Sequence, residues 1–188
     1  MKPNTPVFDA ALRVRSAVAP IDRKQADGMI RQHYLQKWPG VCVLTLGLFV
    51  DDVARGVMVF ALPPRETSRR YGKPTWELAR LWVCDDMPTN TETYFIGRAI
   101  RLIKKTRSDV QMLVSYADPS AAHSGVIYRA SNWKADGKTD QERKTPRFDY
   151  ACAVTGRKFS RRKHIPADTD FIRVPRISKF RFTYDLMG

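Results

Sequence analysis

The chain has 188 residues, of which 43% are hydrophobic and 11% are aromatic, values typical of one globular domain with its own core rather than of a disordered chain. Its 33 Lys and Arg against 19 Asp and Glu give a formal net charge of +14. Such an excess favours a polyanionic partner, because each phosphate contact releases condensed counterions. Nucleic acid is therefore expected ahead of a ribosome-associated role, and an anionic membrane last.

The sequence shows neither a segment typical of membrane targeting nor a cysteine pattern typical of metal binding. The N-terminal residues hold no apolar segment of the secretory type, and the longest apolar run, residues 41–50, is too short to cross a bilayer. We therefore expect a cytoplasmic protein with no membrane partner. The cysteines Cys42, Cys84 and Cys152 lie singly, without the close spacing of zinc ligands, which predicts buried free thiols.

The first half of the chain predicts a strand, a helix and a hairpin, in that order. Alternating charged and apolar residues at 13–19 predict the strand, and the helix follows and runs towards Tyr34. Two apolar strands at 41–50 and 55–62 then form the hairpin. Residues 66–74 are basic and polar, so we expect an exposed loop there.

The second half alternates strands and helices. A strand at 76–86 precedes a helix in which Thr89 and Glu92 can form a capping box, and a strand at 111–117 precedes a short helix that ends before a turn at 135–138. The order predicts a mixed α/β sheet with helices on both faces. We expect a single domain over residues 1–188, with a basic C-terminal extension from about residue 140.

These motifs together resemble a known family. ELARLWVCDD at 77–86 with TYFIGRAIRLIKK at 93–105 resembles the central strand and cofactor helix of GNAT acyltransferases, and GVIYRASNWKADG at 125–137 resembles their closing motif. More closely, the following motifs resemble the Mom proteins of bacteriophages, which modify adenine in DNA: RQHYL at 31–35, ELARLWV at 77–83, SYADP at 115–119 and HSGVIYRASNW at 123–133. The similarity covers roughly residues 13–137.

The resemblance implies a GNAT-like mixed, mostly antiparallel central sheet flanked by helices. It implies acetyl-CoA or a related acyl-CoA as donor and the N6 amine of adenine as acceptor, with a carbamoylmethyl-type product that protects phage DNA from restriction in the host cytoplasm. The glycine-rich phosphate loop of GNAT enzymes, Q/R-x-x-G-x-G/A, is replaced here by ETYFIGRA at 92–99. The chain therefore differs from GNAT enzymes in the segment that holds the donor.

The catalytic residues expected from the matching motifs are Asp118, His33, Tyr34 and Tyr128. Asp118 would accept the proton of the attacking amine, although an Asp-Pro turn explains the same residue structurally. Tyr128 matches the GNAT phenol that protonates the thiolate leaving group, or simply packs its helix. His33 and Tyr34 would hold a base that has left the duplex stack. Iron is a candidate cofactor for that pair, with no recognisable metal triad.

The donor and the DNA are expected to bind different residues. Arg80 would hold a phosphate or pair with Asp118, unless it pairs with Glu77. Thr93, Gly97, Arg98 and Ser115 complete the predicted donor site, since the start of a helix favours anions. Double-stranded DNA with a flipped adenine is the predicted partner, and a dimer is one candidate oligomeric state. The predicted phosphate contacts are Arg65, Arg69, Arg70, Lys73, Arg161, Arg162 and Lys163, with Arg157 and Lys158 beside them.

Two rival functions are compatible with parts of the sequence. ADPS at 117–120 partly matches the Asp-Pro-Pro-aromatic motif of S-adenosylmethionine-dependent adenine-N6 methyltransferases, but Ser120 and Ala121 replace the second proline and the aromatic residue. A non-catalytic basic DNA-binding protein would keep the charge and have no need for Asp118 or Tyr128 in a cleft. Acetylation of a small amine or a protein is a third possibility, because the fold does not fix the acceptor.

Overall fold

The computed structural model describes residues 7–33, 38–159 and 162–188. Within these residues the chain forms five α-helices and ten strands. The helices are α1 (Ala10–Val14), α2 (Arg23–His33), α3 (Arg65–Tyr71), α4 (Thr91–Thr106) and α5 (Val126–Ala130). The strands are β1 (Ser16–Pro20), β2 (Cys42–Val50), β3 (Val53–Ala61), β4 (Thr75–Val83), β5 (Met112–Ala117), β6 (Lys134–Lys138), β7 (Phe148–Cys152), β8 (Lys158–Phe159), β9 (Phe171–Pro175) and β10 (Phe180–Asp185).

Seven strands form the central sheet, in the order β1-β2-β3-β4-β5-β10-β6. All neighbours are antiparallel except β4 and β5, which run parallel. The expected mixed, mostly antiparallel α/β sheet is therefore confirmed.

The parallel strands β4 and β5 are hydrogen-bonded at their N-terminal ends and separate towards their C-terminal ends. Pairing is confined to Thr75–Glu77 against Met112–Val114, although β4 continues to Val83. On its other side β4 carries a β-bulge at Ala79, because Arg80 pairs with Val59 while Leu78 pairs with Phe60. Bulges often re-aim side chains beside active sites. The centre of the sheet thus holds an opening bordered by strand ends and a bulge.

Helices cover both faces of the sheet. On one face, α4 and α5 bury Phe95, Ile103 and Tyr128 against Leu113 and Phe182. On the other face, α2 buries Ala26 and Ile30 against Val57 and Val59 of β3. Complete burial of a side chain such as Ile or Phe stabilises the fold by about 1.5–3 kcal/mol, so these two layers fix the strands that carry the site.

Residues from about 140, which we expect to form a basic extension, hold a second sheet of order β8-β7-β9. The chain then returns to the central sheet as β10, which lies between β5 and β6. Strand β9 (Phe171–Pro175) lies at one edge of this second sheet. The basic segment is therefore an insertion between two strands of the central sheet.

Three local predictions were wrong. The loop predicted at 66–74 contains helix α3, which ends at Gly72 in the left-handed region with φ of 60°. The turn predicted at 135–138 lies in strand β6, whose partner β10 comes from far along the chain. The strand predicted at 13–19 is divided between α1 and β1, because the Asp9 carboxylate accepts a hydrogen bond from Leu12 N (2.9 Å) and begins a short helix.

In the described part of the chain, no helix has the length and apolar character needed to span a membrane. The three cysteines are free thiols, as predicted, but each is only half-buried.

Candidate active site

A cleft of 730 Å³ lies on the face of the central sheet that carries Glu77 of β4 and Tyr116 of β5. Helix α3, the segment after β6 and the start of β10 form its walls, and seven Lys and Arg against four Asp and Glu line it. The excess of positive charge suits an anionic molecule such as a nucleic acid strand.

Glu77 is a half-buried carboxylate in this cleft. It lies at the last position where β4 and β5 are paired, opposite Val114, so its side chain is at the mouth of the opening between the strands. Burial raises the pKa of Glu77, and the positive charges of Arg80 and Lys179 only partly offset this effect. A carboxylate whose pKa is raised is a stronger proton acceptor than an exposed one.

Asp118 directly follows β5, as expected, and is half-buried beside Lys179, which lines the cleft. One carboxylate oxygen accepts hydrogen bonds from Ser120 N (3.0 Å) and Ser120 Oγ (2.6 Å), and the other lies 3.1 Å from Lys179 Nζ. Burial opposes ionisation, but the hydrogen bonds from Ser120 and Lys179 outweigh it and hold the pKa of Asp118 below its usual value. Asp118 thus forms the Asp-Pro turn and an ion pair at once.

Tyr128 and Ser115 form a buried hydroxyl pair on the opposite face of the sheet. Ser115 Oγ lies 2.8 Å from the Leu78 carbonyl and 2.7 Å from Tyr128 Oη. The Ser115 hydroxyl is placed to donate both to the Leu78 carbonyl and to the Tyr128 phenol oxygen, so its single proton is shared between these two acceptors. Leu78 is the first residue of β4 beyond the paired segment, so the hydroxyl pair lies beside the opening.

The position of Tyr128 depends on packing and on a glycine. Its ring stacks on Phe182 at 5.1 Å and contacts Trp133 at 5.3 Å, so it also packs α5 onto the sheet. Gly125, with φ of 77°, begins α5, and a Cβ atom there would lie 2.2 Å from the Phe182 ring. Only glycine fits both the conformation and the space.

The predicted donor residues fall into two places. Ser115 and Arg80 lie at the opening of the sheet, where Arg80 donates to the Ala79 carbonyl (2.5 Å) and lowers the pKa of nearby Glu77, while Asp118 pairs with Lys179 instead. Thr93, Gly97 and Arg98 lie together on the outer side of α4.

Thr93, Gly97 and Arg98 line a groove of 530 Å³ that also holds Asn90, Arg13 and Arg101. One wall is Phe8, whose ring stacks on Tyr94 at 4.4 Å and whose amide donates to Thr89 O (3.0 Å). Within the described residues, no carboxylate lies at ion-pair distance from Arg13, Arg98 or Arg101. The groove is therefore a cationic site beside the start of α4.

The capping box predicted for Thr89 and Glu92 is absent. Helix α4 begins at Thr91, after Asn90 in the left-handed region, and no side chain caps it within the described residues. The Thr91 hydroxyl instead donates to Pro88 O (2.6 Å). Among the described residues, the first turn of α4 thus keeps N–H groups available for an anion, which the helix dipole also favours.

The predicted DNA-contact residues differ in their surroundings. Arg70 makes two hydrogen bonds to Glu142 (3.0 and 2.9 Å), and Lys73 pairs with Asp185 (3.2 Å). Arg65 lines the cleft, and Arg69 is exposed on α3. Arg162 and Lys163 are exposed in the short helix Arg162–His164, and Arg161 lies outside the described residues.

The predicted base-holding pair is only partly visible. His33 is the last residue of α2, but its side chain and Tyr34 lie outside what the structure describes. The nearby Trp38 packs against the α2 layer, with Arg23 over its ring at 5.4 Å. Among the residues described, no three His, Cys, Asp or Glu side chains cluster as metal ligands.

Glu77 and Lys179 are site residues that the sequence interpretation missed. Glu77 interrupts the apolar strand TWELARLWV, and a carboxylate between Trp76 and Leu78 was an available sign of a cleft. Lys179 has no local sign, because it reaches Asp118 only through the pairing of Phe180 with Ala117.

Solved structures with the same architecture are N-acetyltransferases. Arabidopsis thaliana NAA60 in complex with acetyl-CoA matches with a TM-score of 0.57 and 8% identity, over 92% of this chain and 99% of that one. An N-acetyltransferase from Staphylococcus aureus Mu50 matches with a TM-score of 0.53 and 11% identity, over 92% and 99% of the two chains. The expected GNAT-like fold is confirmed.

A curated relative and a family model add sequence evidence. The methylcarbamoylase Mom of Escherichia phage Mu is 34% identical over 109 residues, which is 54% of this chain and 45% of the relative, so the match spans less than half of that protein. The model of the Mom protein family matches residues 15–187, nearly the whole chain. This chain therefore belongs to the Mom protein family, with a fold that it shares with N-acetyltransferases.

Proposed function

We propose that this protein is an acyltransferase-type enzyme that modifies the N6 amine of adenine in DNA, using an acyl-coenzyme A donor. The observation that carries the proposal is the opening between β4 and β5. Glu77 lies on one side of it in a cationic cleft, and the Tyr128–Ser115 pair lies on the other side. Acceptor and donor can thus approach one point from opposite faces of the sheet.

The residues around α4 fit a coenzyme A donor. The uncapped first turn of α4 offers N–H groups to a pyrophosphate, and the three arginines of the neighbouring groove suit further phosphates. Such a donor supplies an activated thioester carbonyl. Acetyl-CoA is named with the similar NAA60 structure, and acetyl-CoA or a related acyl-CoA is the donor proposed here.

The acceptor needs a proton acceptor, because the lone pair of the adenine amine is delocalised into the ring and its proton must leave as the new bond forms. We assign this proton to Glu77, whose buried carboxylate is the stronger base. Asp118 holds Lys179 beside Glu77, so it positions the cation of the site. The hydrogen bonds to Asp118 favour this division of roles over direct proton transfer to Asp118.

Tyr128 and Ser115 act on the donor side. Their hydroxyls are buried and hydrogen-bonded beside the opening, so a proton can pass from the phenol to a departing thiolate. Ser115 is itself hydrogen-bonded to the Leu78 carbonyl, so its contact with the phenol fixes the position of the Tyr128 hydroxyl. Packing of the ring on Phe182 limits its movement.

The proposed partner is double-stranded DNA with one adenine flipped out of the stack, in the cytoplasm of a phage host. Duplex phosphates would contact Arg65, Arg69, Arg162 and Lys163, and His33 with Tyr34 would hold the flipped base. The family match and the acetyltransferase fold give no support to the methyltransferase alternative.

The transferred group is proposed to be methylcarbamoyl, as in the name of the phage Mu relative. A carbamoylmethyl group has the same atoms but is attached through its methylene carbon. Methylcarbamoyl is attached through its carbonyl carbon, which is the atom that an acyltransferase site activates. Its donor would be a methylcarbamoyl thioester of coenzyme A, one of the related acyl-CoA donors, because acetyl-CoA itself would deliver an acetyl group. The carbon–sulfur bond of that thioester breaks as the bond from N6 to the carbonyl carbon forms, and coenzyme A leaves as the thiol.

Tandem mass spectrometry of nucleosides from DNA of cells that express the protein tests this function. The proposal expects a modified deoxyadenosine that loses methyl isocyanate on fragmentation. An adenine adduct without that loss would reject the methylcarbamoyl assignment, unmodified adenine would reject the function, and radiolabel from S-adenosylmethionine on N6 would favour a methyltransferase.

A further inference from the structure

The second sheet has an aromatic face. In antiparallel pairs, residues opposite each other lie on the same face of the sheet. Tyr150 is opposite both Phe159 and Arg173, and Cys152 is opposite Phe171. We call this surface the aromatic face, and it comprises Phe148, Tyr150, Phe159, Phe171 and Arg173.

Arginines stack on three of these rings. The guanidinium of Arg173 lies 4.4 Å from the Phe148 ring centre, that of Arg157 lies 5.5 Å from Phe159, and that of Arg162 lies 5.8 Å from Phe171. All three arginines are exposed, and none is ion-paired within the described part of the chain. Their charge therefore remains available to an anion.

The aromatic face is not a closed core. Only Phe159 is buried, at 8% exposure, while Phe171 is 36% exposed and Phe148 and Tyr150 are half-buried. Tyr150 meets Phe171 edge to face at 5.5 Å, which leaves much of each ring uncovered. Exposed rings interleaved with arginines are the arrangement that binds unpaired nucleotides, because bases stack on the rings and phosphates bind the cations.

The aromatic face adjoins the cleft. Arg147 lines the cleft, and the next residue, Phe148, begins β7. A backbone hydrogen bond from Arg176 N to Arg147 O (3.0 Å) and another from Thr139 N to Lys179 O (2.9 Å) tie the insertion to the rim of the cleft. Nucleotides on the aromatic face would therefore be close to an adenine in the cleft.

We propose that the aromatic face stacks unpaired nucleotides that flank the acceptor adenine. The inference rests on the proposed function, since it gives the insertion a role in holding the opened DNA. Charge complementarity identifies the occupant as nucleic acid, and the exposed rings identify it as unpaired rather than duplex.

Fluorescence anisotropy with labelled oligothymidylate tests the aromatic face without adenine or donor. Phe171→Ala should weaken binding by about tenfold, the range expected for one lost base–aromatic stack. Phe171→Leu keeps apolar packing and should lose the same affinity. Ile172→Ala is the matched control, because Ile172 is exposed at the next position of β9 and on the opposite face. Circular dichroism confirms folding of each variant.

The salt dependence separates stacking from charge. Phe171→Leu should leave the slope of log affinity against log salt unchanged, whereas Arg173→Gln should reduce it by about 0.7. If Phe171→Leu binds oligothymidylate like the Ile172→Ala control, the proposal is overturned. If the protein binds through Phe171 but transfers nothing to adenine, the proposed function fails while the aromatic face stands as a nucleotide site.

Discussion

Lys179 Nζ lies 3.1 Å from Asp118 Oδ2, and the same ammonium partly offsets the rise that burial causes in the pKa of Glu77. The contact arises because Phe180 pairs with Ala117, so the residue before β10 meets the residue after β5. One cation thus links two carboxylates with opposite pKa shifts at the mouth of the cleft. Pairs of titratable groups with divergent pKa values are typical of acid–base sites.

Asp118→Ala should lower kcat/KM for adenine modification by at least about 100-fold. The change removes the partner of Lys179 and the anchor of the Ser120 turn. DNA affinity, measured by anisotropy, should be nearly unchanged. Ser120→Ala removes one hydrogen bond from the same carboxylate and should have a smaller effect. Full activity in Asp118→Ala would remove this residue from the site.

Glu77→Gln should lower kcat by about 10²–10⁴-fold, since the amide cannot accept the proton. The wild-type enzyme needs ionised Glu77, and burial raises its pKa above 4.5. Activity should therefore fall as the pH decreases through that raised value. Loss of Asp118 leaves Lys179 free to act on Glu77 alone, so the acid limb of residual activity should move to lower pH. If the acid limb of the pH profile lies at the same pH in Asp118→Ala as in the wild type, Asp118 does not influence Glu77 through Lys179.

Thermal stability provides the control for Glu77→Gln. The pKa of Glu77 is higher in the folded than in the unfolded protein. Ionised Glu77 therefore lowers the free energy of unfolding at pH values above both pKa values, and this loss of stability disappears when the pH is below the pKa of the unfolded state. The variant should melt at the same or a higher temperature than the wild type at neutral pH, and the difference should vanish in acid. If Glu77→Gln has a lower Tm than the wild type at neutral pH, its loss of activity results from unfolding rather than from the missing proton acceptor.

The central fold was predictable because local pattern and tertiary context agree there. The apolar runs at β2, β3 and β5 and the apolar stripe of α4 each match a buried surface. Helix α3 was missed because its residues RETSRRY are polar throughout and bury none of their side chains fully. Its position depends instead on contacts such as Thr67 with Tyr116 (3.2 Å).

The candidate site was predictable only where one motif holds several of its parts. SYADP places Ser115 and Asp118 on one strand end, so the motif identified both. Lys179 reaches Asp118 through the pairing of β10 with β5 across a long insertion, which no local pattern encodes.

Tyr128→Phe should reduce kcat by about tenfold or more while leaving the fold intact. The ring contacts with Phe182 and Trp133 persist, while the hydroxyl that hydrogen-bonds Ser115 and would protonate the leaving group is lost. Ser115→Ala should cost more stability, about 1–3 kcal/mol, because it removes a buried hydroxyl that donates to the phenol oxygen and to the Leu78 carbonyl. If Tyr128 serves packing alone, Tyr128→Phe will turn over at the wild-type rate in single-turnover measurements.

Arg98→Ala and Arg101→Ala should each raise KM for the acyl-coenzyme A by about fivefold and leave kcat unchanged. A fivefold change is smaller than the effect of losing a buried charged hydrogen bond, because both arginine side chains are exposed in the groove. Lys105→Ala is the control, since Lys105 is exposed on α4 and does not line the groove. Equal KM values in all three variants would place the donor elsewhere.

Replacing Arg65 and Arg69 together by alanine should flatten the salt dependence of duplex binding. Each lost phosphate contact reduces the slope of log affinity against log salt by about 0.9, so the pair should reduce it by about 2. Lys73→Ala is the matched control on the same segment, because Lys73 already pairs with Asp185 and should change the slope less. Modification at saturating DNA should persist in the double variant, since neither arginine contacts Glu77 or Tyr128 in the described structure. An unchanged slope would exclude Arg65 and Arg69 of α3 from the duplex interface.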